Sequence, residues 1–178
     1  MARARPSPGE RALRVRLEPA DVGRVSVATG LPILDHLLGV LGEWGRFELE
    51  VESAPIGGTE DEVDAVGRAL GRSVAELLAH DGERRYGSAL VAADEALAAV
   101  VVEVSGRPLL AANVDLSAEH VGGLGTDLVS RLLRALAEEA GLTLHVRLIE
   151  GEDTRHVLEA IFKGLGLALA EAATERRR

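Results

Sequence analysis

HLLGVLGEWGRFELEV, residues 36–51, has a second version further along the chain, RLLRALAEEAGLTLHV, residues 131–146. Laid on each other without a gap, at an offset of 95, they match at every core position. Leu37, Leu38, Leu41, Leu49 and Val51 meet Leu132, Leu133, Leu136, Leu144 and Val146. Apolar residues at helical spacing, then a strict alternation, describe a helix running into a half-buried strand. The same offset sets Val66, Leu70 and Val74 on Ile161, Leu165 and Leu169, in a second helix. A helix–strand–helix unit repeated over three consecutive elements points to duplication, where amphipathic segments alike by chance would drift out of register.

Working outward, residues 11–18 (RALRVRLE) and RVSVAT alternate as strands do. Pro32 opens the helix LPILDHLLGVLGEW at a first-turn position. After the strand RFELEVES, Thr59 is placed to cap a helix that opens at Glu60 and runs to about His80. Residues 87–93, 95–104 and 107–116 read as strands. A helix over about 124–140, the strand LTLHVRLI and a helix from about Thr154 to Ala172 complete the chain. The expectation is one domain over 1–178, made of two pseudo-symmetric halves at about 10–82 and 83–173.

Composition narrows the function. The chain has 178 residues, 47% apolar but only 2% aromatic, so its core is built from Leu, Val and Ala. A formal charge of −9 makes free nucleic acid or an anionic membrane a poor partner. No cysteine is present, which excludes disulfides and thiolate metal sites. No apolar run is long enough to span a bilayer and the N-terminus has no signal-like apolar stretch, so a cytoplasmic location is expected.

The repeat also aligns polar residues. His36, Glu60, Asp61 and Asp64 fall on Arg131, Arg155, His156 and Glu159. All lie on or beside apolar helix faces, where charge needs a partner or a metal. Residues three apart share a helix face, so Asp61 stands with Asp64, and His156 with Glu159. A His–x–x–Glu pair can present two ligands to one ion. Plainer readings stand beside this one. Glu60 to Asp64 also suit a helix start, where the dipole favours carboxylates, and His36 also suits a helix residue with a local partner. Lys163, the only lysine, stands one turn beyond Glu159 and is expected to pair with it.

The segments TGLPILDHLL (29–38), RRYGSALVAADEALAAVVVEVSGRPLL (84–110), LTLHVRL (142–148) and RHVLEAIFKGLGLAL (155–169) resemble the imidazoleglycerol-phosphate dehydratase family. The resemblance runs from about Glu10 to Ala170. It implies an α+β fold of two ribosomal S5 domain 2-like halves, with a helical layer between two mainly antiparallel four-stranded sheets. It also implies a homo-oligomeric cage, typically of twenty-four subunits, with active sites at subunit contacts. The family removes water from imidazole glycerol phosphate in histidine biosynthesis, using two Mn²⁺ ions that hold the imidazole ring.

Carried over position by position, the resemblance implies Glu10, Asp64 and Glu159 in catalysis, Arg85 and Arg107 on the phosphate, and His36, Asp61, Asp64, His156 and Glu159 as metal ligands. Several positions depart from the family pattern. Its first His-His-x-x-Glu falls on Glu60, Asp61 and Asp64; its second falls on Arg155, His156 and Glu159. A further family histidine falls on Arg131, so His36 and His156 are the two imidazoles kept out of six. The family's Ser-x-Lys phosphate contact has no counterpart in the ending ATERRR. Arginines facing carboxylates suggest a buried ion-pair network in place of at least one ion, leaving one Mn²⁺ or none per chain. The alternative function is a non-catalytic family member that keeps the fold and assembly, or binds a phosphorylated imidazole without turnover.

Overall fold

The computed structural model describes residues 13–53, 57–79, 84–114, 120–121 and 124–174, with no side-chain description for 120–126. The elements run β1 (Leu13–Pro19), β2 (Arg24–Ala28), α1 (Pro32–Gly45), β3 (Phe47–Ser53), α2 (Thr59–Leu77), β4 (Tyr86–Ala93) and β5 (Ala96–Glu103). Then follow β6 (Leu109–Ala112), β7 (His120–Val121), β8 (Leu124–Gly125), α3 (Thr126–Ala140), β9 (Thr143–Glu150) and α4 (Thr154–Ala172). Moving α2 forward by 95 residues gives the bounds of α4.

The chain is α+β. Among the described residues the first sheet has three strands, in the order β1-β3-β2, where four are expected. The second has four, β4-β5-β9-β6, and β7 and β8 form a separate small hairpin that the sequence pattern does not announce. Each half combines antiparallel pairing, β1 with β3 and β5 with β9, with one parallel pair, β2 with β3 and β6 with β9. The helices lie between the sheets. α1 and α2 cover the first, α3 and α4 the second, and the halves meet where α1 packs on α4 and α2 on α3.

Strand register extends the repeat. Leu49 and Val51 pair with Leu17 and Val15 on one side and Val25 and Val27 on the other. Their counterparts Leu144 and Val146 pair with Val102 and Val100, and with Leu110 and Ala112. The helix crossings repeat too. A Cβ on Gly71 would stand 2.7 Å from the Leu136 carbonyl oxygen, and one on Gly166 would strike that of Leu41. These are the same crossing seen twice, and each needs a glycine for the backbones to touch. The leucines of the repeat, from Leu37 to Leu144, are buried in one continuous core. That burial supplies most of the driving force, as expected for a chain with few aromatics.

The element ends show local corrections. Gly58, not Thr59, occupies the N-cap of α2, and no side chain caps it. β6 is four residues long, shorter than the expected strand over 107–116. Among the described residues, no helix is long and apolar enough to cross a membrane.

Candidate functional site

Two pseudo-equivalent clusters of charge lie where helices of opposite halves meet. At the α1–α4 contact, His36 Nε2 lies 2.7 Å from Glu159 Oε1. Arg155 Nε donates to the same oxygen at 3.0 Å. Partial burial works to raise the Glu159 pKa, but the hydrogen bonds from His36 and Arg155 outweigh it and hold the carboxyl below its ordinary value. An ionised carboxylate only accepts, so His36 carries a proton on Nε2.

At the α2–α3 contact the equivalent positions again set a nitrogen donor on a carboxylate, with arginine in place of histidine. Arg131 grips Asp64 with two bonds, Nε to Oδ1 at 3.2 Å and the terminal nitrogen to Oδ2 at 2.5 Å. Its other terminal nitrogen stands 3.5 Å from Glu60. The planar guanidinium fork matches a carboxylate in this way. The paired Asp64 keeps the Arg131 pKa raised. So an imidazole on a glutamate in one half becomes a guanidinium on an aspartate in the other. These ion pairs form at the surface of the subunit, not in its interior as expected. The Arg131 side chain is 42% exposed and that of Asp64 25%.

His156 belongs to a third cluster. Asp94 and Glu95 form the turn between β4 and β5, with Asp94 in the left-handed region at φ 48°. This turn reaches the start of α4. Glu95 Oε1 accepts the backbone N–H groups of Asp153 at 2.9 Å and Glu152 at 3.3 Å, while Oε2 meets His156 Nδ1 at 2.5 Å. Those contacts, the Asp153 amide first and His156 next, pull the Glu95 pKa down to about 2. The hydrogen bond to Glu95 in turn raises the His156 pKa. Asp153 caps α4 through the amides of Arg155 and His156.

The residues expected to share metal are therefore spread over separate contacts: His36 with Glu159, Asp64 with Arg131, His156 with Glu95. Asp61 is exposed and folds back over Gly57. Glu62, grouped by sequence with the helix-start acids, turns inward instead. It is 8% exposed, and its Oε1 has no hydrogen-bond partner among the described residues. Lys163 does not pair with Glu159. Its ammonium donates to the Ala92 carbonyl at 2.9 Å and sits 4.4 Å above the Trp44 ring.

The two arginines expected on phosphate lie elsewhere. The Arg85 amide donates to the carbonyl of Ala172, at the far end of α4. Glu159 is thirteen residues back along that helix, about 20 Å at 1.5 Å per residue. Arg107 sits in the β5–β6 connection, its carbonyl held by the hydroxyls of Ser105 and Thr143. Both side chains are exposed. Within one subunit they stand apart from the His36–Glu159 pair. Glu10 lies outside the described residues.

Comparison with known proteins places the chain in a family. The family described as imidazoleglycerol-phosphate dehydratase matches residues 29–169. The chain belongs to the imidazoleglycerol-phosphate dehydratase family. It is 40% identical to the family enzyme of Desulforudis audaxviator over 167 residues, 92% of this chain and 85% of that one. The crystal structure of imidazoleglycerol-phosphate dehydratase from Staphylococcus aureus superimposes with a TM-score of 0.83 at 35% identity, covering 92% of this chain and 94% of that one. The Pyrococcus furiosus enzyme, solved in complex with (S)-C348, gives 0.79 at 26% identity, covering 98% and 94%.

The two Mn²⁺ ions that the family resemblance implies can be tested against these donors. Both Asp64 oxygens are taken by Arg131, and Glu159 Oε1 is shared by His36 and Arg155. A guanidinium is always charged and has no lone pair to give, so Arg131 and Arg155 repel a cation from both places. Among the described residues, no three His, Asp or Glu converge as a ligand set. Within one subunit, this donor set does not fit a two-ion centre.

Proposed function

We propose that this chain binds imidazoleglycerol phosphate, the compound for which its relatives are named. In this reading, ion pairs occupy the places of metal ligands, and the dehydration step of histidine biosynthesis is strongly slowed or lost. The observation that carries it is the Arg131–Asp64 fork at the position equivalent to His36–Glu159. A centre built this way holds fewer than two Mn²⁺ ions.

Phosphate recognition by Arg85 and Arg107 is part of the same reading. The distance of Arg85 along α4 from Glu159, and the place of Arg107 in the β5–β6 connection, favour a ligand that spans two copies of the chain. An imidazole end would lie near the helix clusters of one copy, and a phosphate end near the arginines of another. This supports a homo-oligomer, for which the family resemblance suggests a cage of twenty-four subunits. A cytoplasmic location belongs to the same reading.

Calorimetric titration with imidazoleglycerol phosphate, followed by a dehydration assay with added Mn²⁺, tests both parts. Binding should be measurable, and turnover should fall roughly 100-fold or more below the Staphylococcus aureus enzyme assayed alongside, since losing ligand positions costs at least what losing their supporting groups does. Absence of binding, or turnover equal to that enzyme, contradicts the reading.

A further inference from the structure

Among the described residues, β4 and β6 are the edge strands of the second sheet. An edge strand presents a row of unpaired N–H and C=O groups to which another strand can add. β6 is four residues long and offers little. β4 offers eight, Tyr86–Ala93, and its sequence YGSALVAA carries no charge. In the first sheet the edge strands hold charges of their own, Arg14, Arg16 and Glu18 on β1 and Arg24 on β2. Charge on the strand is an ordinary defence of an edge, and β4 lacks it.

α4 supplies the charge instead. Glu171 Oε2 accepts the Ser88 amide N–H at 2.7 Å. Lys163 Nζ donates to the Ala92 carbonyl at 2.9 Å. In an antiparallel pair, alternate residues turn their backbone groups towards the partner and the others turn theirs away. Ser88, Leu90 and Ala92 are therefore the residues of β4 whose groups face away from β5. The spacing of helix and strand agrees. Lys163 and Glu171 are eight residues apart on α4, about 12 Å along a helix. Ala92 and Ser88 are four apart on β4, about 13 Å along a strand. Helix and strand run in opposite directions, so the two charged side chains land on either side of Leu90.

Both side chains are themselves held in place. Arg84 stands 2.9 Å from the other oxygen of Glu171. The Trp44 ring lies 4.4 Å from the Lys163 ammonium, within cation–π reach. Leu90 remains between them, 64% exposed, its outward amide and carbonyl without a partner among the described residues. One free residue is too short a run for another strand to pair with.

We infer that Lys163 and Glu171 are edge guards: they occupy the open edge of β4 and keep strands of other molecules from adding to it. The inference stands on hydrogen bonds and strand order and does not depend on the ligand or on metal.

Removing the guards tests it. Lys163→Met combined with Glu171→Leu takes away both hydrogen bonds and keeps an apolar side chain at each place. The full-length double variant, incubated well below its melting temperature, should gain thioflavin T fluorescence and sedimentable mass several-fold over wild type, with circular dichroism showing the fold intact at the outset. Lys163→Met alone should do so in part. Lys163→Arg combined with Glu171→Gln keeps a donor and an acceptor and should behave as wild type. Leu90→Pro removes the outward amide of the middle residue and leaves the ladder to β5 whole, as proline does on an edge strand. Added to the first double variant, it should bring the signal back towards wild type. A Lys163→Met, Glu171→Leu protein that stays as soluble and as dark with the dye as wild type overturns the inference. So does equal association of the conservative pair, or association that Leu90→Pro does not relieve, since either traces the effect to loosened packing and not to the edge.

Discussion

Arg131 holds Asp64 across the α2–α3 contact at the same place in the fold where His36 meets Glu159 across α1–α4. The two places are equivalent at an offset of 95, donor on donor and carboxylate on carboxylate, and only their flanking Arg155 and Glu60 differ in sign. One is an imidazole on a carboxylate joined by an arginine; the other is an arginine on two carboxylates. Reversing the second pair separates its attraction from the identity of its residues. Asp64→Arg and Arg131→Asp should each lower the melting temperature by a few degrees, and the double exchange should recover most of the loss. Arg131→His should also lower it, since imidazole cannot reproduce the two-pronged grip. Thermal melts of the four proteins settle this, and an unchanged melting temperature in the single variants argues against the network.

The Glu95–His156 contact predicts a window of pH. Glu95 has its pKa lowered to about 2. Its contribution is therefore complete above the ordinary carboxylate value and is lost as pH falls through about 2. The His156 pKa is raised, so its contribution is complete below the ordinary imidazole value and fades as pH rises through the raised one. The stability lost in Glu95→Gln should be greatest between about pH 4.5 and 6.5 and should shrink on both sides. A loss independent of pH from 2 to 9 would contradict this.

Glu62 and Val157 occupy equivalent positions in α2 and α4, both buried, but one is a carboxylate whose Oε1 has no partner among the described residues. Burying an unsatisfied polar group costs about 1–3 kcal/mol. Glu62→Val should therefore raise stability by roughly that amount in chemical denaturation. A destabilised variant would show that the carboxylate has a role the helix start alone does not reveal.

Close helix approach gives a paired prediction. Gly71→Ala puts a methyl group 2.7 Å from the Leu136 carbonyl and should cost about 1–3 kcal/mol. Gly39→Ala, also inside a helix but with open space around it, should gain about 0.5–1 kcal/mol. Urea unfolding of both variants checks the contrast, and equal effects would mean that the helices do not touch as described.

Much of the fold was legible because the core speaks through period. Leu37, Leu38 and Leu41 repeat as Leu132, Leu133 and Leu136, so helices and strands could be read by sliding the chain on itself. The site was legible as a set of positions but not as contacts. His36 and Glu159 are 123 residues apart, and nothing local says that they meet. The hold of Glu95 on α4 depends on a β-turn arriving beside a helix start, a tertiary event without a sequence signal. Lys163 was misplaced because helical spacing favoured Glu159, whereas the fold brings Trp44 and the Ala92 carbonyl closer.

The central claim is that arginine has displaced metal from this centre. The most direct measurement is Mn²⁺ bound per chain, by elemental analysis after dialysis of the untagged protein against Mn²⁺ and removal of excess. The ion-pair account predicts fewer than two ions per chain, with none added when Arg131→Ala removes a guanidinium but supplies no ligand. Two ions per wild-type chain would contradict it, because the carboxylates would then have to leave Arg131 and Arg155 to hold them.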